Sequence, residues 1–411
     1  MKPVLVMQLA RFGDLLQTKR LVAGLEQAGR PVHLLVEASL AGLARLVYPR
    51  ATVHAVAAHS RPDLAALQAA VGRLEEIDFR RVYNLNYSGL SAALSTAFDP
   101  ETVRGHRLEQ GQPLRDPWAA MAFRWTRRRR QAGVNLADFW AGYALPLAEA
   151  ATVNPAAMPK GGGLGVALAG RDPRRSPPPR VLAGVIQALL PALGGAKVTL
   201  LGTVAERPAA KELAALLPER VARFVTDLTG RTSLEQLVET VGGLDRLLTP
   251  DTGVMHLAAH LGVPVTALFL SNAWCHETGP YGLGHTVWQA SLDCAPCLEA
   301  APCPHEVACL APFASREFLR LATGKAGVEP PAGLTGYRTG FDALGACCEP
   351  FCGPDPGRAE RLALRAFAAR ALGQAPGLGD DANVPAPGLV EDMVADPDFM
   401  LPKHQALLET L

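Results

Sequence analysis

Short apolar runs alternate with helix-length segments from the amino terminus to Phe269, and this alternation constrains the fold more than any other feature of the chain. A Pro/Gly-rich segment, 154–163, divides the runs into two series. Buried parallel strands joined by helices produce such a pattern. The first series contains Val4–Met7, Val32–Val36, Val53–Val56 and Val82–Leu85, and the second contains Leu164–Leu168, Lys197–Leu201, Val221–Phe224, Leu247–Leu248 and Val265–Phe269. The sequence therefore predicts an α/β protein with two Rossmann-like, doubly wound domains.

The length of the chain agrees with two domains and an extension. Its 411 residues exceed the roughly 250 to 300 residues at which single cores stop growing. We assign 1–153 to an N-terminal domain, 164–322 to a C-terminal domain and 323–411 to the extension. A helix is predicted near 358–372, with an apolar face that would return to the first domain, and its flanks are expected to be loosely ordered. Ligands of doubly wound sheets bind beyond the carboxyl ends of the strands, so we expect both domains to face a cleft.

Composition argues against several classes of protein. The formal net charge is +1 and 19% of residues are charged, which does not indicate a surface made for nucleic acid or for a bilayer. The segment 252–276 lacks charged residues other than histidine, but Pro264 and Asn272 interrupt it, so it is interpreted as a buried helix and strand. The amino terminus does not have the pattern of a signal peptide. We therefore expect a cytoplasmic protein whose 8 cysteines are reduced.

The segment from Pro250 to Val265 predicts an anion site at a junction between a strand and a helix. Asp251 and Thr252 lie where the helix would be capped, Gly253 follows them, and His256 comes one turn later. The first amides of a helix point outward at the positive end of its dipole, and a phosphate satisfies them. An ordinary capped helix is the alternative interpretation.

Three other segments carry residues suited to the same chemistry. Asp14 follows Gly13 after the first strand and is either a helix cap or a general base at the top of the sheet. Three arginines, Arg171, Arg174 and Arg175, lie in a basic loop after Gly170, where they could neutralise a diphosphate or be merely exposed. Asp227 would follow a strand and could bind a ribose, or it could be a solvated loop carboxylate.

Taken together, these segments resemble the heptosyltransferases of glycosyltransferase family 9. The resemblance covers roughly residues 1–320 and is more specific in its second half. It implies a GT-B arrangement in which the C-terminal domain holds a nucleotide sugar, with ADP-heptose favoured, and the N-terminal domain holds a glycan or glycolipid acceptor such as lipopolysaccharide core. Of the candidate residues, it implies that Asp14 is the catalytic base and that the following residues bind the donor: Arg171, Arg174, Asp227, Asp251, Thr252, Gly253 and His256.

The implied reaction is an inverting transfer by a single displacement, with no cofactor required for catalysis. Asp14 would remove the proton of the acceptor hydroxyl while arginines and helix amides stabilise the departing nucleoside diphosphate. Two alternatives remain open: a nonenzymatic protein that binds nucleotide sugars, and a GT-B-like nucleotide-sugar epimerase. Release of nucleoside diphosphate only in the presence of acceptor would distinguish transfer from both.

A compact cysteine cluster predicts either a structural metal site or a group of reduced thiols. Its members have C-x2-C-x5-C-x5-C spacing, and they are Cys294, Cys297, Cys303 and Cys309. Four thiols at such spacing could bind zinc tetrahedrally. Cysteine-rich loops without metal are also frequent in the resembled family, so the two interpretations stay open.

The densest basic run is Arg127–Arg130. It is either a solvated face or a contact for acceptor phosphates or the inner face of the membrane. Nucleic acid is not expected as a partner, because no recognition motif accompanies the run.

Overall fold

A computed structural model of the chain describes residues 1–58, 64–170, 172–195, 197–299 and 301–374. The chain divides into two compact units. Unit 1 contains Met1–Gly133, Ala137–Ala148 and the helix that begins at Arg358, and unit 2 contains Val134–Leu136 and Glu149–Gly357. Among the residues described, no helix is both long and apolar enough to span a membrane.

Unit 1 is built on a six-stranded sheet with the order β3-β2-β1-β4-β5-β6. All neighbours pair in parallel except β5 and β6, which are antiparallel. The strands are β1 (Val4–Gln8), β2 (Val32–Glu37), β3 (Thr52–Val56), β4 (Arg81–Asn84), β5 (Val103–Glu109) and β6 (Gln112–Arg115). Strand β1 lies in the middle of the sheet, between β2 and β4. Every residue of β1 is buried, as expected for a parallel strand covered on both faces.

Helices connect these strands and cover the sheet. They are α1 (Phe12–Gln17), α2 (Lys19–Gln27), α3 (Ala41–Val47), α4 (Leu64–Glu75), α5 (Gly89–Leu94), α6 (Pro117–Trp125), α7 (Arg129–Ala132) and α8 (Leu136–Ala141). Arg20 of α2 and Asp138 of α8 form a fully buried ion pair with an N–O distance of 2.6 Å. The Arg20 guanidinium also donates to the carbonyl of Ala148, which supplies part of the solvation that this charge loses.

Unit 2 has an eight-stranded sheet with the order β14-β13-β12-β11-β10-β7-β8-β9. Strands β7 to β12 pair in parallel, while β13 and β14 join antiparallel at one edge. The strands are β7 (Leu164–Ala167), β8 (Val198–Leu201), β9 (Val225–Asp227), β10 (Arg246–Pro250), β11 (Val265–Phe269), β12 (Thr286–Ala290), β13 (Leu334–Phe341) and β14 (Ala346–Cys352).

The helices of unit 2 surround this sheet and bury aliphatic and aromatic side chains against it. They are α9 (Pro179–Leu189), α10 (Arg207–Leu216), α11 (Glu219–Ala222), α12 (Leu234–Gly242), α13 (Gly253–His260), α14 (Cys275–Thr278) and α15 (Arg316–Ala322). Short 3₁₀ turns in the two units cover Ala38–Leu40, Ser95–Ala97, Ala150–Thr152, Pro173–Arg175, Leu190–Leu193, Val204–Glu206 and Ala308–Ala314.

The predicted fold class is confirmed, and eight of the nine predicted strands lie within one or two residues of their observed bounds. The ninth was wrong. Val221 and Ala222 lie in α11, and β9 begins only at Val225. Pro218 explains the difference, because its carbonyl accepts hydrogen bonds from the amides of Val221 and Ala222 and starts a helical turn.

The extension differs from the expected helix with loose flanks. The segment 329–340 is rich in proline and glycine, yet it contains most of β13, and β14 follows it. The sheet of unit 2 therefore continues well beyond Ala322. The predicted helix is present as α16 (Arg358–Ala371) and belongs to unit 1. Its buried Arg361 and Arg365 donate to the carbonyls of Arg130 and Gly133, beside α7. The acidic end after Gly379 lies outside the described residues.

His285 connects three strands of unit 2, because it directly precedes β12 and bonds to the first residue of β11 and to β13. Its Nδ1 accepts a hydrogen bond of 3.3 Å from the amide of Val265, which requires that nitrogen to be unprotonated. Its own amide donates to the hydroxyl of Thr339 on β13. The pKa of His285 is lowered to about 4, mainly by burial and to a smaller extent by the nearby positive charge of Arg246.

We expect His285 to make unit 2 less stable in acid. Its pKa lies below the ordinary 6.5, so the unfolded chain takes up the proton first, and stability that is present above pH 6.5 is lost as the pH falls towards 4. Between pH 6.5 and 5 the loss from this group is about 2 kcal/mol. Urea unfolding of the wild type and His285→Asn at both pH values measures it, since the amide oxygen of asparagine can still accept from Val265. An identical pH dependence in the two proteins would contradict the assignment.

Candidate functional site

The sheet of unit 1 has its topological switch between β1 and β4, because the chain winds from β1 to one edge and returns at β4 to the other side. Ligands of doubly wound sheets bind at such points. Asn86, just after β4, holds the loop after β1. Its Oδ1 accepts from the amides of Leu9 and Ala10 at 3.1 and 2.9 Å, and its Nδ2 donates to the carbonyl of Met7 at 2.7 Å.

Asp14 lies in the first turn of α1, which follows this loop directly. Its carboxylate accepts a hydrogen bond of 3.3 Å from the amide of Arg11, and the Arg11 guanidinium lies 4.0 Å away. The Asp14 side chain is 27% exposed. Asp14 thus caps the helix, and its side chain is partly exposed. Its role as a general base stays a prediction.

Lys19 opens α2, two residues after the end of α1. Burial lowers its pKa to about 8, so this amine is mostly charged at neutral pH and loses its proton at slightly alkaline pH.

The sheet of unit 2 has its switch between β7 and β10. Arg175, from the loop after β7, and Asp251, directly after β10, form an ion pair across this point with an N–O distance of 2.9 Å. Both side chains are nearly buried. The hydroxyl of Thr278 donates to the same Asp251 oxygen at 3.2 Å, and Gly170 approaches both partners so closely that a side chain there would contact them.

Thr252 and Gly253 form the helix start that the sequence predicts. Thr252 is the N-cap of α13, and its hydroxyl accepts a hydrogen bond of 3.3 Å from the amide of Met255. Gly253 is the first helical residue, and His256 is buried one turn later. The first amides of α13 therefore lie beside Asp251 at the switch point, which suits a ligand with negative charge.

Arg174 contacts a different set of groups from Arg175. Its guanidinium donates to the carbonyls of Glu299 and Ala301, at 2.6 and 2.7 Å, and pairs with Asp172 at 3.1 Å. In this structure Arg174 thus connects the loop after β7 to the cysteine-rich segment. The family resemblance singled out Arg174 among the three arginines of this loop, whereas Arg175 is the arginine that pairs with Asp251. Arg171 lies outside the described residues.

Asp227 ends β9, and its Oδ1 accepts hydrogen bonds from the amide and the hydroxyl of Thr229 at 2.9 and 2.6 Å. Burial raises the pKa of Asp227, but these hydrogen bonds and the charges of Arg231 and Arg207 outweigh burial and lower the pKa overall. Asp227 is therefore ionised at neutral pH and can accept further hydrogen bonds. It lies on the edge strand, two strands from β7.

The four cysteines of the predicted cluster differ in exposure. Cys294 is exposed, Cys297 and Cys303 are half-buried, and Cys309 is buried in the core of unit 2. Burial raises the pKa of Cys297 and Cys309, with the neighbouring cysteines as a further cause, whereas backbone amides lower the pKa of Cys303. Within the described ranges, the group of three side chains whose ligand atoms lie close enough to share a metal ion is outside this cluster. It consists of Cys275, His276 and Cys348. The four-cysteine zinc site stays a prediction.

The basic run is only partly available to solvent. Arg127 is exposed and Arg128–Arg130 are half-buried, while Arg124 just before them is buried. The hydrogen bond from Arg361 to the carbonyl of Arg130 places α16 against this run.

Residues 183–306 match the sequence profile of glycosyltransferase family 9 (heptosyltransferase). This chain is a glycosyltransferase family 9-like protein. The matched residues include α13 and the loop after β10, where Asp251 meets Arg175.

Sequence relatives match a short part of the chain. Over 75 residues the chain is 33% identical to the lipooligosaccharide heptosyltransferase 2 of Haemophilus influenzae and 35% identical to the lipopolysaccharide heptosyltransferase 2 of Salmonella typhimurium. The aligned segment is 18% of this chain and 22% of the length of each relative.

Solved structures resemble the family 9-like chain in fold. The glycosyl transferase family 9 protein of Veillonella parvula has a TM-score of 0.54 at 16% identity, and the match covers 70% of this chain and 87% of that one. Escherichia coli heptosyltransferase WaaC with ADP has a TM-score of 0.53 at 20% identity, with 70% and 93% covered.

We expect Asn86→Ala to destabilise unit 1 by about 1 to 3 kcal/mol, because it leaves buried backbone groups of the loop before Asp14 without their hydrogen bonds. Thr96→Ala is the control. It removes an exposed hydroxyl that bonds only the carbonyl of Ala93, so we expect a change within about 0.5 kcal/mol. Urea unfolding followed by fluorescence measures both variants. Equal stabilities for the two would show that Asn86 does not hold the loop.

Proposed function

We propose that this family 9-like chain is an inverting glycosyltransferase that transfers heptose from ADP-heptose to a glycan acceptor such as lipopolysaccharide core. The observation that carries the proposal is the ion pair between Arg175 and Asp251 at the start of α13. Asp251 and α13 lie in the segment that matches the family. The heptosyltransferase names of the sequence relatives support the sugar and the acceptor, and the ADP-bound structural neighbour supports the nucleotide.

In the proposed donor site, the diphosphate takes the position in front of the first amides of α13. Arg175 supplies positive charge there, and the helix dipole adds to it. Asp251 then accepts hydrogen bonds from sugar hydroxyls, with Thr278 holding the carboxylate in place. We retain Arg171, Arg174, Asp227 and His256 as proposed donor-binding residues, with Asp227 at the ribose.

In the proposed transfer, an acceptor hydroxyl oxygen attacks the anomeric carbon while the bond from that carbon to the diphosphate oxygen breaks. The carbon inverts, and Asp14 takes the proton of the attacking hydroxyl. The electron pair of the broken bond leaves with the nucleoside diphosphate, whose charge Arg175 and the helix amides stabilise. These groups supply the charge stabilisation, so we expect transfer without a cofactor.

We also propose that transfer takes place in the cytoplasm, at the inner face of the membrane. The exposed Arg127 and the half-buried Arg128–Arg130 are the proposed contact for acceptor phosphates or anionic lipid.

We predict that Asp14→Asn lowers the rate of transfer at least about 100-fold, because the amide cannot accept the proton. Affinity for ADP should change less than about twofold, since Asp14 is assigned to the acceptor. Asp99→Asn is the control, since Asp99 is exposed and caps only its own turn. ADP release with and without acceptor, together with calorimetry, gives both quantities. Substantial activity in Asp14→Asn would remove it as the base, and release of ADP without acceptor would contradict transfer.

Arg175→Gln should weaken the binding of ADP at least about tenfold, because a charged hydrogen-bond donor contributes about 1.5 to 3 kcal/mol. Arg174→Gln is the matched variant one residue away. A similar loss of ADP affinity in Arg174→Gln would assign the diphosphate to both arginines. A much smaller loss in that variant would assign the diphosphate to Arg175 alone. Wild-type affinity in Arg175→Gln, measured by calorimetry on protein with an unchanged melting temperature, would move the donor site elsewhere.

A further inference from the structure

Three metal-ligating side chains converge at the antiparallel edge of unit 2. Cys275 and His276 come from α14, and Cys348 comes from β14, far away in sequence. Their ligand atoms all lie within 4.8 Å of one another, and Cys275 and His276 are buried while Cys348 is half-buried. This group shares no residue with the four-cysteine cluster or with the proposed donor site.

The surrounding structure holds each of the three ligands. The amide of Cys275 donates to Oε1 of the fully buried Gln289 at 3.0 Å, which fixes the start of α14. The ring of His276 packs edge-on against Tyr337 of β13, with centroids 5.1 Å apart. The thiol of Cys348 donates to the carbonyl of Cys275 at 3.6 Å, so β14 already contacts the turn that carries the other two ligands.

We propose that Cys275, His276 and Cys348 bind a thiophilic transition-metal ion of the zinc class. Two thiolates and one imidazole form a soft donor set that suits zinc or ferrous iron rather than magnesium or calcium. Around a tetrahedral zinc ion, sulfur and nitrogen ligand atoms lie about 3.5 Å apart. The three ligand atoms, now within 4.8 Å of one another, would each have to move by less than about 1 Å to bind the ion. A water molecule would complete the tetrahedron as the fourth ligand.

The ion would connect β14 to the turn that supports the donor residues. Thr278, which donates to Asp251, lies on the same four-residue helix as Cys275 and His276. Binding of a metal would therefore stabilise α14 and, through Thr278, the orientation of Asp251. The proposal concerns metal binding and does not depend on whether the chain transfers a sugar.

Metal content of the full-length protein tests the proposal. The protein is purified without affinity tags that bind metal, reconstituted with Zn²⁺ and desalted, and its zinc is then measured by elemental analysis. We expect about one tightly bound zinc per chain from this group. Cys275→Ser and Cys348→Ser should each lower zinc content at least about tenfold, whereas Cys352→Ser, four residues further along β14, should retain it. The double variant Cys294→Ser/Cys297→Ser removes the candidate ligands of the other cluster and should retain it too.

A second measurement on the wild type covers the case in which a variant does not fold. Replacement of zinc by Co²⁺ should produce thiolate-to-cobalt charge-transfer absorption, and chelation should abolish it and lower the melting temperature. Absence of zinc and of this absorption in folded, reduced wild-type protein would overturn the proposal. A disulfide between Cys275 and Cys348 under reducing purification would overturn it too, as would zinc that persists in Cys348→Ser and disappears in the Cys294/Cys297 variant.

Discussion

The parallel pairing of β7 with β10 is the constraint on which the candidate donor site depends. These strands are neighbours in the sheet although β8 and β9 lie between them in sequence, so their connecting loops leave in opposite directions and open a gap between them. Arg175 and Asp251 meet across that gap, and α13 starts beside it. A buried pair of opposite charges costs desolvation energy, which the hydrogen bond from Thr278 helps to offset. A diphosphate could replace the carboxylate as the partner of Arg175.

The sheet of unit 1 also has a switch in strand order, but different residues lie beside it. Its switch lies between β1 and β4, and a neutral side chain, Asn86, holds the loop there. Asp14 follows on a rigid helix start and carries a carboxylate that is partly open to solvent. Unit 1 thus presents a partly exposed carboxylate near its switch point, and unit 2 presents a nearly buried ion pair and the first amides of α13 at its own.

The extension contributes to both units. Strands β13 and β14 continue the sheet of unit 2 antiparallel, and α16 packs in unit 1 through two buried arginines that donate to backbone carbonyls. Cys348 reaches α14 only because β13 and β14 lie at this edge of the sheet. The extension therefore supplies the third ligand of the proposed metal site, and α14, which carries the other two, also carries Thr278 beside Asp251.

The sequence by itself determined the α/β class, the two doubly wound sheets and the helix start at Thr252 and Gly253. Apolar periodicity and capping residues are local signals, so they can be recognised without knowledge of contacts between distant residues. Only the tertiary structure decided that Arg175 pairs with Asp251 while Arg174 donates to backbone carbonyls. The two arginines are adjacent in one loop, and only the folded backbone determines the direction in which each side chain points. The tertiary structure also decided that β13 and β14 are strands, because their Gly-rich and Pro-containing sequence favours strand pairing only beside β12. The group of Cys275, His276 and Cys348 depends on that same edge, where residues 73 positions apart in sequence come into contact. A local sequence pattern does not contain such a long-range contact.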